Sequence, residues 1–313
     1  MPQETAEPRR LGPSFSVLVV GYNAPADIRL LLESMRALPS WEDCEILIAE
    51  NGNREISAME ALATEFGAKL LLLPNPGFGI ACNRLAELAH GEVILLANPD
   101  LRFQEDILPT LRTHLLRNPR VGAVGPSLRN DDGSLQISWN LPMGLKWEFL
   151  EANGLQTWWR RKVVRQHQSA NPDGPWPVGL CTAACISIRA SLFRQIGGFD
   201  EDFFLNSEDI DLCDRIRATG HEVHVLPGIW SYHGNSRLQS RDLGRFVFHR
   251  LQGKAVYLRK RYHGLRKMVA AMFFLEQVLL RLFVGSVFLR GIQRTRLSGY
   301  WKALSLIPGI LRT

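Results

Sequence analysis

Short apolar runs alternate with amphipathic ones along the first 120 residues. The run at 15–21 breaks into a turn at Asn23-Ala24-Pro25. Asp27 then opens a helical period that places Ile28, Leu31, Leu32, Met35 and Leu38 on one face. A second run at 45–49 ends in Glu50-Asn51-Gly52-Asn53; a helix is expected near 56–66 and a third strand at 69–73. The loop Asn75-Pro76-Gly77-Phe78-Gly79 leads into a helix near 80–89. The run at 92–97 is continuously apolar after Glu92, as in a strand buried on both faces, and it stops at Asn98-Pro99-Asp100. Strand and helix alternating at this spacing predict right-handed crossovers and an α/β fold with a mainly parallel, Rossmann-like sheet flanked by helices.

Beyond a helix at 107–116 and a strand at 121–125, Asn130-Asp131-Asp132-Gly133 has the composition of a hairpin turn. Residues 139–177 change character. They carry Trp139, Trp147, Trp158, Trp159 and Trp176, the basic Arg160-Arg161-Lys162 and a polar stretch at 169–175. This segment is expected to be an insertion, partly loop, that either covers a substrate or plugs a subsidiary core. A strand resumes over 178–188, a turn follows at 197–201, and Ser207 is placed to cap a helix beginning Glu208-Asp209-Ile210-Asp211. Acids suit the positive end of a helix dipole, but three in four positions exceed what capping needs, which points to chemistry. A last strand at 221–225 precedes Tyr232-His233-Gly234.

Open α/β sheets bind ligands beyond the carboxyl ends of their strands, where Tyr22, Glu50, the 77–79 loop and Asp100 converge. No G-x-G-x-x-G follows the first strand and no Walker lysine is present, which argues against dinucleotide and P-loop chemistry. The five cysteines are scattered without a CxxC pair, consistent with reduced, buried thiols. Net charge is +6, but residues 237–313 hold 16 Lys and Arg against two acids, Asp242 and Glu276. A basic tail on an otherwise acidic chain implies an anionic partner, a membrane or a nucleic acid.

Taken together these stretches resemble glycosyltransferase family 2, and most closely its bacterial rhamnosyltransferase-like branch, over about residues 15–240. The segment 17–23 resembles the opening V-x-V-x-x-x-Y-N, and 75–83 the N-x-G-F-(A/G)-x-x-x-N element. Residues 95–100 resemble the strand ending in N-x-D, 122–133 the V-G-x-x-x-P…D-G element, and 198–204 the G-G-F-D-E-x-F-F loop. Residues 208–215 match E-D-x-D-L-x-x-R, and 233–236 the closing H-x-G-S element. The resemblance implies a GT-A fold and inverting transfer of a sugar from a nucleotide-diphosphate donor. By position it implies that Tyr22 and Glu50 contact the nucleoside, and that Asn75, Gly77 and Phe78 shape the wall beside base and sugar. Asp100, with Asn98 beside it, and His233 would hold Mg²⁺ or Mn²⁺, Asp209 would be the general base, and Glu208 would support it. Three positions differ from the usual pattern: Glu50 replaces an aspartate, Gly21 a common Ser or Thr, and Asn98 an acid.

The domain expectation is a disordered tail at 1–14, a catalytic domain at 15–240 with an acceptor-side insertion at 139–177, and a basic amphipathic helical region at 241–313. In that last region Leu243, Val247, Leu251, Ala255 and Leu258 share a helical face. The stretch 269–289 has the length of a bilayer span, but Glu276, Gln277 and Arg281 interrupt it, so helices lying on the membrane surface are preferred over a crossing. The expected partners are a nucleotide-sugar donor, a lipid-linked or cell-wall glycan acceptor and the cytoplasmic membrane surface, with no nucleic acid. Two alternatives stand beside this. A sugar nucleotidyltransferase would need a Gly-rich loop with Arg and Lys after the first strand, which 21–25 is not. A non-catalytic protein would use the basic tail to bind nucleic acid or membrane.

Overall fold

A computed structural model of the chain describes residues 12–172, 174–234 and 242–312. Ser236 and most of the tail expected at 1–14 lie outside the described residues.

In the first half, β1 (Phe15–Gly21), α1 (Pro25–Arg36), β2 (Cys44–Glu50), α2 (Ile56–Phe66), β3 (Lys69–Leu72), α3 (Phe78–Glu87) and β4 (Val93–Ala97) follow the predicted alternation. Strand β1 pairs in parallel with both β2 and β4, and β2 in parallel with β3. All five residues of β4 are buried, as its unbroken apolar run requires. The chain continues through β5 (Leu101–Arg102), α4 (Leu108–Arg117), β6 (Val121–Arg129) and β7 (Leu135–Gln136). The turn at 130–133 closes β6 onto antiparallel β7, with Gly133 at φ 79°.

The segment 139–177 is more helical than expected. It holds β8 (Trp139–Asn140), α5 (Leu145–Ala152), α6 (Gln156–Ala170) and the start of β9 (Trp176–Val178). Trp139, Trp176 and His167 pack into one aromatic cluster, with centroids 5.4–5.6 Å apart, while Trp158 remains exposed. The single strand expected over 178–188 is instead β9, β10 (Leu180–Cys181) and β11 (Cys185–Arg189). Strand β11 runs antiparallel between β4 and β6, so it separates the parallel run β3-β2-β1-β4 from the parallel pair β6-β12, and the short β5, β7 and β9 at the margin are antiparallel to their neighbours as well. After α7 (Ala190–Gln195) and α8 (Glu208–Ala218), β12 (Glu222–His233) pairs in parallel with β6 and carries His233 at its end. Core clusters cover both faces of the sheet.

A third cluster belongs to the basic region, comprising α9 (Leu243–Arg261), α10 (Gly264–Phe288), α11 (Arg296–Ala303) and α12 (Ile307–Leu311). The α9 face expected from sequence, with Val247, Leu251, Ala255 and Leu258, is buried, and Phe203 from the catalytic half is buried with it. Gly253 of α9 lies against the carbonyls of Leu205 and Asn206, where any Cβ would overlap them. Lys254, the next residue, sits between two carboxylates of α5, with Nζ 2.8 Å from Glu148 Oε2 and 2.7 Å from Glu151 Oε2, and it donates to Gln277 Oε1 of α10 at 2.9 Å.

Candidate active site

Glu50 ends β2 fully buried. Its Oε1 accepts the N–H groups of Asn23 (2.8 Å) and Gly52 (2.5 Å), fastening the turns after β1 and β2 together. Its Oε2 is buried with no partner. A Cβ on Gly21 would stand 2.9 Å from that oxygen and 2.8 Å from Ile28 Cδ1. Two of the departures from the family pattern are therefore linked: the Glu50 carboxylate, carried one methylene further than an aspartate's, reaches with Ile28 Cδ1 into the space left by the missing side chain at Gly21. Tyr22, next in sequence, is exposed above them.

The 75–79 loop is held from two sides. Asn75 adopts φ 55° and Gly77 φ 113°. The Gly77 carbonyl accepts Asn51 Nδ2 at 3.2 Å, and the Phe78 N–H donates to the Phe204 carbonyl at 3.0 Å. A Cβ at Gly77 would lie 2.6 Å from that same carbonyl oxygen, so only glycine lets the loop approach this closely. Phe78 packs edge-on against Phe199, and Asn83 takes both the N–H and the C=O of Phe199.

Asn98, Asp100 and His233 come together although 133 or more residues separate the histidine from the other two. His233 Nε2 lies 3.2 Å from Asp100 Oδ1 and 3.1 Å from Asn98 Nδ2. On its other side Nδ1 meets Gln136 Oε1 at 2.7 Å. With the amide oxygen of Gln136 accepting there, Nδ1 carries the proton, and the Nε2 lone pair, beside Asp100 Oδ1, accepts from Asn98 Nδ2. Asp100 Oδ2 is buried without a partner. One carboxylate oxygen lacking a donor and one imidazole lone pair, side by side, fit a divalent cation that takes its remaining ligands from phosphate and water. No cluster of three or more His, Cys, Asp or Glu suited to a metal occurs among the described residues.

Helix α8 presents Glu208 and Asp209 at its first turn. Ser207 occupies the cap position but with φ 71° and no side-chain capping bond, so the expected capping role falls away. Asp209 instead receives backbone donors, from Ile210 at 2.9 Å and from Ala183 at 3.4 Å. Burial raises the Asp209 carboxyl, against those N–H groups. Burial and the adjacent Asp209 charge push Glu208 up to about 8. Ala184, the neighbour of Ala183, accepts the Asn98 N–H at 2.9 Å. One two-residue backbone step thus bonds to both Asp209 and Asn98. Asp211 binds Arg215 at 2.7 Å, and Arg215 holds the carbonyls of Ile196 and Gly198, fixing α8 against the 196–204 loop.

Residues 16–197, more than half of the chain, match the family described as glycosyl transferase family 2. The chain belongs to that family. Among curated relatives of this glycosyltransferase is the N-acetylglucosaminyl-diphospho-decaprenol L-rhamnosyltransferase of Mycobacterium tuberculosis, 28% identical over 266 residues that span 79% of this chain and 85% of that protein. The O-antigen biosynthesis protein RfbC of Myxococcus xanthus is 25% identical over 69% of this chain but 17% of its own length. The fold is GT-A. The mannosyltransferase PcManGT of Pyrobaculum calidifontis, solved with GDP-Man and Mn²⁺, superposes with a TM-score of 0.58 at 15% identity, over 99% of this chain and 90% of that one. TarS of S. aureus, residues 1–349 with UDP-GlcNAc, gives 0.56 at 14% identity, over 94% and 82%.

Two parts of the candidate site are not legible in the sequence. Gln136, which sets the His233 tautomer, lies on a two-residue strand too short to show periodicity. The Ala183–Ala184 step acts only through its backbone, and nothing in two alanines marks that. The 203–206 loop was legible as a motif, but its contact with α9 was not.

Proposed function

We propose that this enzyme transfers a sugar, with inversion, from a nucleotide-diphosphate donor to a hydroxyl of a lipid-linked glycan at the cytoplasmic membrane surface. Asp209 is the general base. The observation that supports the reading is the Ala183–Ala184 step, whose backbone bonds to Asp209 on one side and to Asn98, two residues from Asp100, on the other. An acceptor hydroxyl must lose its proton as it bonds to the anomeric carbon, and a positioned carboxylate contributes about 10²–10⁴-fold. Glu208, raised by burial and by its neighbour, keeps its proton near neutrality, so the pair's negative charge sits on Asp209.

Asp100 and His233 would hold Mg²⁺ or Mn²⁺, which neutralises charge developing on the leaving diphosphate. Glu50 Oε2, buried and unpartnered, offers an acceptor to a base N–H or a ribose hydroxyl, with Tyr22 alongside and Asn75, Gly77 and Phe78 forming the wall. A rhamnose nucleotide, such as dTDP-rhamnose, is the favoured donor, because the mycobacterial relative is an L-rhamnosyltransferase acting on a decaprenol-linked diphosphate sugar. The test is single-turnover transfer with Asp209→Asn. A rate lower by about 10²–10⁴ with donor affinity kept is expected. Unchanged turnover removes Asp209 as base, and donor hydrolysis that survives Asp100→Ala removes the cation site.

A further inference from the structure

Helix α10 is long and apolar enough to cross a membrane by length and composition. Its two faces differ. One buries Ala270, Phe274, Val278 and Leu282 against the protein, together with Gln277, whose amide oxygen is bound by the buried Lys254. The other leaves Leu265, Met268, Met272, Leu279, Phe283 and Val287 exposed, from 49% to 75%. These six recur at three-, four- and seven-residue steps and form one continuous line along the helix. Glu276 falls within that line between Met272 and Leu279, half-buried.

At the N-terminal end of the same helix is a cavity of about 740 Å³. Arg259, Lys260, Lys267 and Arg312 reach it, and Met268 and Leu311 supply its apolar rim. Asp202 pairs with Arg259 at 3.0 Å and with Lys260 at 2.8 Å. Lys267 Nζ donates to the Arg312 carbonyl at 3.1 Å, and no carboxylate among the described residues pairs with Lys267 or Arg312. The cavity therefore keeps uncompensated positive charge, and the exposed line begins at its rim, since Met268 belongs to both.

We infer that α10 lies in the plane of an anionic lipid surface, its outward line of side chains among the acyl chains and the cavity at its start holding lipid phosphate. Crossing the bilayer would require pulling Gln277 away from Lys254 and unburying a full helix face, and it would carry Glu276 into hydrocarbon. Lying flat requires neither, and Glu276 is free to reach the headgroup layer. Charge complementarity favours lipid over a second copy of the chain: two such faces would bring their uncompensated cations together, whereas an anionic surface neutralises them. The inference rests on the proposed reading only in placing the acceptor at a membrane.

The full-length protein is sedimented with phosphatidylcholine vesicles and with vesicles that also contain phosphatidylglycerol. Binding to the anionic vesicles alone is expected, released by alkaline carbonate. It should weaken at least about tenfold in Met272→Asp/Phe283→Asp and again in Lys267→Glu/Arg312→Glu. Millimolar inorganic phosphate should not displace it. Resistance to carbonate, full displacement by phosphate, binding that ignores both variants, or a dimer broken by Met272→Asp/Phe283→Asp in the absence of binding would each overturn the inference. Donor hydrolysis measured on the same samples separates the outcomes: its loss in the wild type counts against the transferase reading, while vesicle binding stands on its own.

Discussion

Replacing Lys254 with Met removes the only cation among the described residues within bonding distance of both Glu148 and Glu151. Nζ is 2.8 and 2.7 Å from their carboxylates and 2.9 Å from Gln277 Oε1, with the lysine side chain 12% exposed and Glu148 2% exposed. Burial alone would raise Glu151, but the Lys254 charge overcomes it and holds the carboxyl down to about 2. Burial dominates at Glu148 and raises it despite the same lysine. Taking away one partner of such a cluster costs about 3–5 kcal/mol, because the charges left behind have neither water nor a counter-ion. At roughly 2–4 °C per kcal/mol for a domain of this class, the melting temperature should fall by about 6–20 °C. The pH dependence fixes the sign. Glu151, depressed in the fold, stabilises above its ordinary value near 4.5 and loses that contribution as pH falls towards 2. In the variant both carboxyls lack the lysine and are raised by burial, so their protonation relieves the defect on acidification. The gap between wild type and variant should be widest at pH 7 and above, and should shrink towards pH 5. Denaturant titrations at both pH values measure it. A loss under about 1 kcal/mol at pH 7, or a gap that widens on acidification, would refute the reasoning. An apolar triple replacement, Lys254→Met with Glu148→Leu and Glu151→Leu, should recover much of the loss.

Gly21→Ala should cost about 1–3 kcal/mol, since its Cβ would meet Glu50 Oε2 and Ile28 Cδ1 inside van der Waals contact. In an Glu50→Asp background the penalty should drop, with a coupling of about 0.5–3 kcal/mol in a double-mutant cycle, and strict additivity would show the two positions to be independent. Gln136→Leu removes the acceptor that orients His233 and should weaken Mn²⁺ affinity about 10–100-fold while leaving donor-free stability near wild type, as titration with the ion would show. Transfer rate should rise with pH as the raised Asp209 carboxyl gives up its proton, and Glu208→Gln, which is neutral like the protonated Glu208, should leave that acid limb in place. Stability has the opposite slope: carboxyls raised in the fold stabilise it below their ordinary range and lose that advantage as pH climbs towards about 8, which thermal melts across pH 4–8 would record.

The chain announces the parallel half of its sheet because each of those strands is a run of four to seven residues with a matching helix between. Asp100, His233, Glu208 and Asp209 were legible for a related reason: each ends a strand or opens a helix, where side chains can face a ligand. The reversed β11 was not legible, since hydrogen-bond direction leaves no trace in an apolar run buried on both faces. The 139–177 segment reads as partly loop because tryptophans and arginines mask a helical period, and α6 buries a single side chain, Val163. Its cations instead lie over rings, with Lys146 Nζ 3.6 Å from the Trp159 centroid and Arg160 4.9 Å from that of Trp147. Glu50 and Gly21 looked like two separate anomalies, and only the distance between them shows that they are linked.

Gly253 has a wider consequence. It is the place on α9 where the helix backbone touches the carbonyls of Leu205 and Asn206, while the neighbouring Phe204 carbonyl accepts the Phe78 N–H. Sliding the helix by one residue would drive Gln252 or Lys254 into that backbone, so the join is keyed and has one register. If α10 rests on lipid, the sugar-transfer centre stands at a fixed height above it, and only acceptors whose reactive hydroxyl projects to that height are within reach. The joint would then act as a ruler, selecting among lipid-linked glycans by length before any sugar contact is made.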